Sequence, residues 1–167
     1  MARPNHSVEK LSAALIRLMH EMPFAEITVT DISREAGLSR ISFYRNFNTK
    51  EDLLLFYMEQ VVEAFEEDIY AEGACSLQRY FTMLFTTIGS YSDTIRETSN
   101  AGLNEILLKV FNRYLFRTPM QELGFTFNIY NVRFYTGAFY NVLLEWILSG
   151  KKESPEEMAQ LCCRMIQ

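Results

Sequence analysis

A short run of polar side chains between residues 39 and 50 could bind a nucleic acid through hydrogen bonds. Arg40 and Ser42 stand at the start of a short predicted helix and are not needed for its apolar face. An arginine in this position can donate two parallel hydrogen bonds to O6 and N7 of a guanine in the DNA major groove. Arg45 and Asn46 follow as candidate phosphate contacts. The alternative interpretation of Arg40 is a solvated surface arginine.

Two helices and the turn between them must position these side chains. The segment from Thr28 to Leu54 predicts two short helices, a tight turn and the start of a third helix. Val29, Ile32 and Ala36 recur at i, i+3 and i+7, which is typical of one face of a helix. Gly37 ends this helix, because glycine adopts a positive φ at little cost.

Capping residues mark where each helix begins. Thr28 or Thr30 can cap the first helix, and Ser39 can cap the second, predicted from Arg40 to Phe47. Helix, glycine-containing turn and helix form the helix-turn-helix pattern. The second helix of such a motif lies in the major groove, with its first residues on the base edges. Its predicted apolar residues are Ile41, Phe43, Tyr44 and Phe47.

The stretch ITVTDISREAGLSRISFYRNFNTKEDLL resembles the DNA-binding domain of the TetR family of bacterial transcriptional regulators. The resemblance covers about residues 8–55 and rests on the Ile-Thr-Val entry, the Ala36-Gly37 turn, Phe43-Tyr44 with Phe47, and Lys50-Glu51. It implies phosphate contacts at Tyr44, at Lys50 and around Thr30. Asn46 departs from the histidine or tyrosine that is common in the family. The predicted DNA-binding set is Thr28, Thr30, Ser39, Arg40, Ser42, Tyr44, Arg45, Asn46 and Lys50.

Composition predicts an all-α fold. The chain has 167 residues, of which 49% are hydrophobic, and its 7 Gly and 4 Pro favour long helices over a β-rich fold. We predict a three-helix DNA-binding domain over residues 1–50, and a helical effector-binding and dimerisation domain over residues 51–167. No apolar run is long enough to span a bilayer and no signal peptide is recognised, which predicts a cytoplasmic protein with no membrane partner.

The distribution of charge favours a DNA-facing head. The net charge of −5 argues against a nucleic-acid binder when taken alone. Residues 1–50, however, hold seven basic and five acidic side chains, whereas residues 51–167 hold nine basic and sixteen acidic ones. A basic head on an acidic body would orient the protein as it approaches DNA, because DNA attracts the head and repels the body.

Cysteine usage indicates neither a disulfide framework nor a metal site. Cys75, Cys162 and Cys163 are odd in number and two of them are adjacent. We interpret them as reduced thiols, with a redox sensor as the alternative. The sequence also lacks a catalytic Ser/His/Asp set, a metal-binding spacing and a phosphate loop, so we predict no enzyme activity, no cofactor and no metal.

The body is predicted to hold five further helices, at about 50–71, 76–91, 103–117, 121–148 and 154–167, with a loop and a short helical turn over 90–100. The resemblance implies that the body binds a small, mostly apolar or aromatic effector, although its aromatic residues could equally fill a plain core. The predicted effector residues are Phe81, Phe85, Arg96, Asn100, Asn104, Phe111, Tyr114, Asn131, Phe134 and Tyr135. The last two helices are predicted to form a homodimer through Phe139, Leu143, Trp146, Leu161 and Met165.

These features favour a ligand-responsive TetR-like repressor that binds a palindromic operator as a dimer through the helix Arg40–Phe47. One alternative is an all-helical binding protein or enzyme with a vestigial head. Another is an activator that responds to a protein partner instead of a small molecule. A non-specific architectural DNA binder would need a broadly basic surface, which the acidic body lacks.

Overall fold

The computed structural model describes residues 6–72, 76–114 and 128–166. These ranges contain nine α-helices, one 3₁₀ turn at Phe24–Glu26 and no strand, which confirms the all-α prediction. The helices are α1 (His6–Glu21), α2 (Val29–Glu35), α3 (Arg40–Tyr44), α4 (Lys50–Glu72), α5 (Leu77–Ser90), α6 (Ser92–Asn100), α7 (Asn104–Tyr114), α8 (Ile129–Leu148) and α9 (Pro155–Ile166).

The head is built on α1, which packs against α2, α3 and the start of α4. Its core is apolar: Leu11, Leu15, Ile32 and Phe43 are completely buried. Phe43 is the only residue of α3 in that core. The opposite side of α3 therefore remains available to a partner.

Side-chain caps fix the positions at which α2 and α3 begin. Thr28 is the cap of α2: its hydroxyl accepts a hydrogen bond from the Asp31 amide, and the Asp31 carboxylate accepts one from the Thr28 amide. Ser39 caps α3 by accepting from the Ser42 amide at 3.2 Å. Between the helices, Gly37 has a φ of +65°, a conformation that other residues adopt at a cost. The sequence pattern for this turn is thus confirmed.

In the body, α5 and α9 form the most extensive helix pair of the described ranges. Aromatic rings fill the space between α5 and α8. Phe81 stacks on Phe139 with ring centroids 5.6 Å apart, and Phe85 meets Trp146 edge-on at 5.2 Å. Gly89 allows this approach, because a Cβ there would lie only 3.3 Å from the Trp146 ring.

The segment 90–100 differs from its prediction, because it forms the regular helix α6 where a loop was expected. Thr94, Ile95 and Thr98 are buried, and the Thr98 hydroxyl donates to the Thr94 carbonyl at 2.7 Å. A polar composition suggested a loop, but threonine methyl groups can face a core once the hydroxyl has a partner inside the helix.

The end of α3 also differs from its prediction. Helix α3 ends at Tyr44, not at Phe47. The backbone amides of Asn46 and Phe47 both donate to the Phe43 carbonyl at this end. Of the helix predicted over 103–117, the described part is α7 (Asn104–Tyr114), and residues 115–117 lie outside the described residues. Of the helix predicted over 121–148, residues 129–148 form α8, and Phe125 and Phe127 lie outside the described residues, as does Cys75.

Two features are absent from the described ranges. None of their helices is both long enough and apolar enough to cross a membrane. Their His, Cys, Asp and Glu side chains nowhere form a group of three or more that could hold a metal ion.

Candidate nucleic-acid interface and body cavity

The outer face of α3 presents both cationic and apolar groups to solvent. Arg40, Ile41, Tyr44 and Arg45 are exposed. The Arg40 guanidinium carbon lies 5.9 Å from the centroid of the Tyr44 ring, a cation–π contact that orients both side chains. Within the described residues neither arginine forms an ion pair, so no carboxylate competes there with an incoming anion.

Other members of the predicted DNA-binding set are engaged in local hydrogen bonds. The hydroxyls of Ser39 and Ser42 are 3.0 Å apart. The Asn46 side-chain amide donates to the Ser42 carbonyl at 2.8 Å and so caps the end of α3. Ser39 and Asn46 therefore stabilise the two ends of α3, whereas Ser42 is half-buried beside Arg40.

At the start of α2, Thr28 is tied into its cap and Thr30 is exposed in the first turn. The hydroxyl and amide of Thr28, followed by the Arg34 guanidinium 2.8 Å away, hold the pKa of Asp31 below its usual value. The carboxylate thus stays ionised at the positive end of α2.

Lys50 has a different role from the one predicted. Its ammonium group donates to the carbonyls of Phe24 at 2.6 Å, Ala25 at 3.2 Å and Ile27 at 2.7 Å. The same group lies 4.5 Å from the centroid of the Phe24 ring. Because an ammonium has three hydrogens, these bonds leave none for a phosphate. We therefore assign Lys50 to fastening α4 to the 3₁₀ turn, and remove it from the DNA-binding set.

This assignment predicts a loss of stability for the variant Lys50→Met. Three carbonyls would lose a charged donor, so the free energy of unfolding should fall by about 2 kcal/mol. Urea denaturation followed by circular dichroism measures the change. Lys10→Met, at an exposed position of α1, is the control and should leave stability unchanged. Equal stabilities for the two variants would contradict the fastening role.

An apolar cavity of about 50 Å³ lies inside the body between α4, α5, α6 and α7. Of the residues predicted to bind an effector, only Phe111 and Tyr114 line it. Val61 and Phe65 of α4 also line it, and neither was predicted to contact an effector. The main lining residues are Met58, Val61, Val62, Phe65, Glu66, Tyr80, Leu84, Ile88, Ile95, Leu107, Val110, Phe111 and Tyr114.

The other predicted effector residues lie elsewhere. Phe81 and Phe85 are completely buried against Phe139. Arg96 pairs with Asp93 at 2.7 Å, and Asn104 accepts from the Tyr140 hydroxyl at 2.9 Å. Asn100 and Asn131 are exposed, and Phe134 and Tyr135 line a separate groove between α8 and α9. The aromatic residues were misplaced because an aromatic residue in a helix can face the core, a cavity or solvent, and composition does not distinguish these cases.

One acidic residue, Glu66 of α4, lines the otherwise mostly apolar cavity. Residues 51–72, which belong to α4, include eight acidic and no basic side chains. Glu66 lines the cavity itself, and Glu63 accepts a hydrogen bond from the Tyr114 hydroxyl at 3.2 Å. Burial, together with the charge of Glu59, raises the pKa of Tyr114, so its phenol stays protonated at neutral pH.

The groove between α8 and α9 has a volume of about 240 Å³ and continues onto an exposed apolar face. We call this surface the α8–α9 face and define it by Ile129, Tyr130, Phe134 and Met165, which are 60%, 81%, 71% and 60% exposed. The predicted dimer residues Phe139, Leu143 and Trp146 are instead buried in the body core. Leu161 is half-buried, and Met165 belongs to the face.

Cys162 is buried beside this groove and Cys163 is half-buried. Burial, with a smaller contribution from its neighbour, raises the pKa of the Cys162 thiol to about 11. Burial also raises the pKa of Cys163. Both groups are therefore protonated at neutral pH, and a protonated thiol is a poor nucleophile.

A helix-turn-helix head that shares its last helix with a cavity-bearing helical body defines a class of DNA-binding regulatory proteins. Residues 11–55 match the family model of bacterial regulatory proteins of the tetR family, and residues 75–167 match a model of a transcriptional regulator C-terminal region. The chain belongs to the TetR family of bacterial transcriptional regulators.

Two similar proteins in sequence are HTH-type transcriptional regulators named EthR. The protein from Mycolicibacterium smegmatis is 30% identical over 92 residues, which are 51% of this chain and 42% of that protein. The protein from Mycobacterium tuberculosis is 30% identical over 105 residues, which are 57% of this chain and 49% of that protein. The matched parts thus span about half the length of these relatives or less.

Solved structures with the same fold match nearly the whole chain. The dihydroxyacetone kinase operon activator DhaS has a TM-score of 0.68 and 17% identity, covering 95% of this chain and 93% of its own. The fatty acid degradation regulator FadR from Bacillus halodurans has a TM-score of 0.62 and 18% identity, with 98% and 95% covered. FadR from Bacillus subtilis, in complex with stearoyl-CoA, has a TM-score of 0.57 and 16% identity, with 94% and 96% covered. At these identities the likeness shows the fold alone.

Proposed function

We propose that this chain is a ligand-responsive transcriptional repressor that binds a palindromic operator as a homodimer through α3. The observation that carries the proposal is the outer face of α3, where Arg40 and Arg45 are exposed beside Tyr44 without ion-pair partners among the described residues. In a helix-turn-helix protein this face lies against the floor and walls of the major groove.

The roles within the interface follow from the position of each group. Arg40, in the first turn of α3, is placed to contact a guanine, since base contacts come from the first residues of a recognition helix. Arg45 at the end of α3, Tyr44 and Thr30 on α2 are assigned to phosphates. The acidic body keeps the rest of the surface away from DNA.

The α8–α9 face supports a twofold dimer. Phe134 and Tyr130 expose most of their apolar surface, and a second copy of the same face would remove that surface from water. A twofold axis makes the interface self-complementary and relates the two heads by the same symmetry. Two recognition helices about one duplex turn apart, roughly 34 Å or a small multiple, would read a palindrome.

The cavity supports an effector site that must open to accept its ligand. Its volume of about 50 Å³ is far below the roughly 300–1,000 Å³ of pockets that hold drug-sized molecules. A ligand would therefore separate the helices that line it. The lining is apolar apart from groups such as Glu66, so we propose an apolar ligand with an uncharged or cationic head. The acidic side chains of α4 disfavour a polyanion such as the acyl-CoA bound by Bacillus subtilis FadR.

The test of DNA binding is selection of bound sequences from a random library, followed by titration of variants on the selected operator. Arg40→Ala should weaken binding by about 2 kcal/mol and relax preference at one base pair of each half-site. Arg45→Ala should weaken all sequences alike and lower the slope of log K against log salt by about 0.9 for each lost phosphate contact.

Arg164→Ala, on the last turn of α9, is the matched control and should bind as the unmodified protein does. Arg40→Ala could instead leave both the affinity for the selected operator and the sequence preference unchanged. That result would mean that a surface other than α3 lies in the groove. Failure to enrich any sequence would reject the proposed operator.

A further inference from the structure

We propose that Ile41 is a specificity-determining residue that reads the methyl group of a thymine in the operator. Ile41 is 67% exposed, which makes it the most exposed large apolar side chain among the described residues of the head. The sequence pattern assigned it to the apolar side of α3, and the structure places it on the outer side. The inference rests on the proposed docking of α3 in the major groove.

The fold keeps Ile41 outside. Phe43, two residues on, is completely buried and fixes the inner side of α3. Successive residues of a helix are about 100° apart, so Ile41 projects away from Phe43. Residues at i+3 and i+4 share its side, and these are Tyr44 and Arg45, both exposed. Ile41 thus lies on the face formed by the two groups proposed to contact DNA.

The chemistry of Ile41 restricts what it can recognise. Its side chain has no donor or acceptor, so it cannot bond a base edge or a phosphate. The C5 methyl of thymine is the apolar group that an unmodified base pair presents in the major groove. Contact with that methyl would remove apolar surface of both partners from water. An isoleucine left in water adds nothing to the packing of the head, whereas one pressed on a thymine adds sequence preference.

Ile41 also complements Arg40, its neighbour in the first turn. The guanidinium of Arg40 is oriented by the Tyr44 ring and suits a guanine. Two adjacent side chains with different chemistry can then read two nearby base pairs. Each half-site should therefore contain one guanine and, close to it, one thymine.

The experiment replaces the thymines of the selected operator by deoxyuridine, one position at a time. This change removes the C5 methyl and leaves every hydrogen-bonding group in place. For the unmodified protein, one position in each half-site should weaken binding on the order of fourfold, as expected for one buried methyl group. For Ile41→Ala, the thymine and deoxyuridine operators should bind equally well at that position.

Arg45→Ala is the matched control on the same helix. It should weaken both operators alike and retain the methyl penalty of the unmodified protein. Circular dichroism checks that Ile41→Ala is folded, as its exposure leads us to expect. The role of Ile41 would be overturned if Ile41→Ala still lost affinity when the thymine is replaced by deoxyuridine. It would also be overturned if no such replacement weakened binding of the unmodified protein. In both cases the proposed DNA binding would stand. Absence of any operator would overturn both, and the two failures are thus distinguishable.

Discussion

Replacing Phe134 with glutamate is expected to convert the protein to a monomer and to weaken operator binding by about 100-fold, or about 2.7 kcal/mol. Phe134 is 71% exposed in the isolated chain, so the glutamate can be solvated and the monomer should stay folded. In a dimer closed by the α8–α9 face, each copy would instead bury an unpaired carboxylate, which costs several kcal/mol per ion. A monomer holds one head and contacts one half-site.

Sedimentation velocity at micromolar concentration measures the association state, and titration of the operator measures the binding loss. Gln78→Glu, at an exposed position of α5, adds the same charge and should change neither quantity. Phe139, Leu143 and Trp146 are unsuitable for this test, because they are buried and their replacement would destabilise the monomer itself. A Phe134→Glu protein that remains dimeric would exclude the α8–α9 face as the interface.

The head could be predicted closely from the sequence because its local signals agree with each other. Periodic apolar residues, the cap at Thr28 and the positive φ of Gly37 each act within a few residues along the chain. They define α2 and the turn without any knowledge of distant contacts. Ile41 is an exception, since a five-residue helix has too few turns for its pattern to show which side is inside.

The body was less predictable because its surfaces depend on contacts between distant segments. Helix α8 is apolar on most sides, and the sequence cannot say that Trp146 faces α5 while Phe134 faces solvent. The same limit applies to Lys50, whose three acceptors lie 23 to 26 residues away in the chain. A lysine at a helix start suggests an anion contact unless those carbonyls are known to be near.

Two helices connect the cavity with the head. Helix α4 lines the cavity through Phe65 and its neighbours, and its first residue, Lys50, is bonded to the 3₁₀ turn of the head. Helix α6 contributes Ile95 to the cavity and packs against α1. A ligand that separates α4 from α7 would therefore move the base of the head. In the proposed dimer, a shift of a few ångströms would prevent both heads from fitting their half-sites together.

We expect an uncharged or cationic twelve-carbon probe to release the operator and a filled cavity to abolish this release. The probes are 1-dodecanol, used below its solubility limit, and dodecyltrimethylammonium and dodecanoate, each used below its micelle concentration. The first two should bind and lower operator affinity by about 100-fold, which requires a 100-fold preference for the released conformation, or about 2.7 kcal/mol. Dodecanoate should bind more weakly because its carboxylate would lose its hydration in an apolar lining whose acidic residue, Glu66, carries the same charge.

The variant Val110→Phe places a ring in the cavity from α7, without altering α4 or the head. It should retain operator affinity and lose the response to 1-dodecanol, at a stability cost of about 1–3 kcal/mol for overpacking. Ile106→Phe is the control, because Ile106 lies one turn earlier on the same helix and does not line the cavity. Its response to the probe should be unchanged.

Thermodynamic linkage provides an independent check of this switch. If the probe lowers operator affinity by a given factor, operator DNA must lower probe affinity by the same factor. Calorimetric titration of 1-dodecanol into free and operator-bound protein measures that factor directly, with Val110→Phe as the unresponsive reference. Equal affinities in the two titrations would mean that occupation of the cavity does not bias the head. A probe that releases DNA equally well from Val110→Phe would act somewhere other than the cavity.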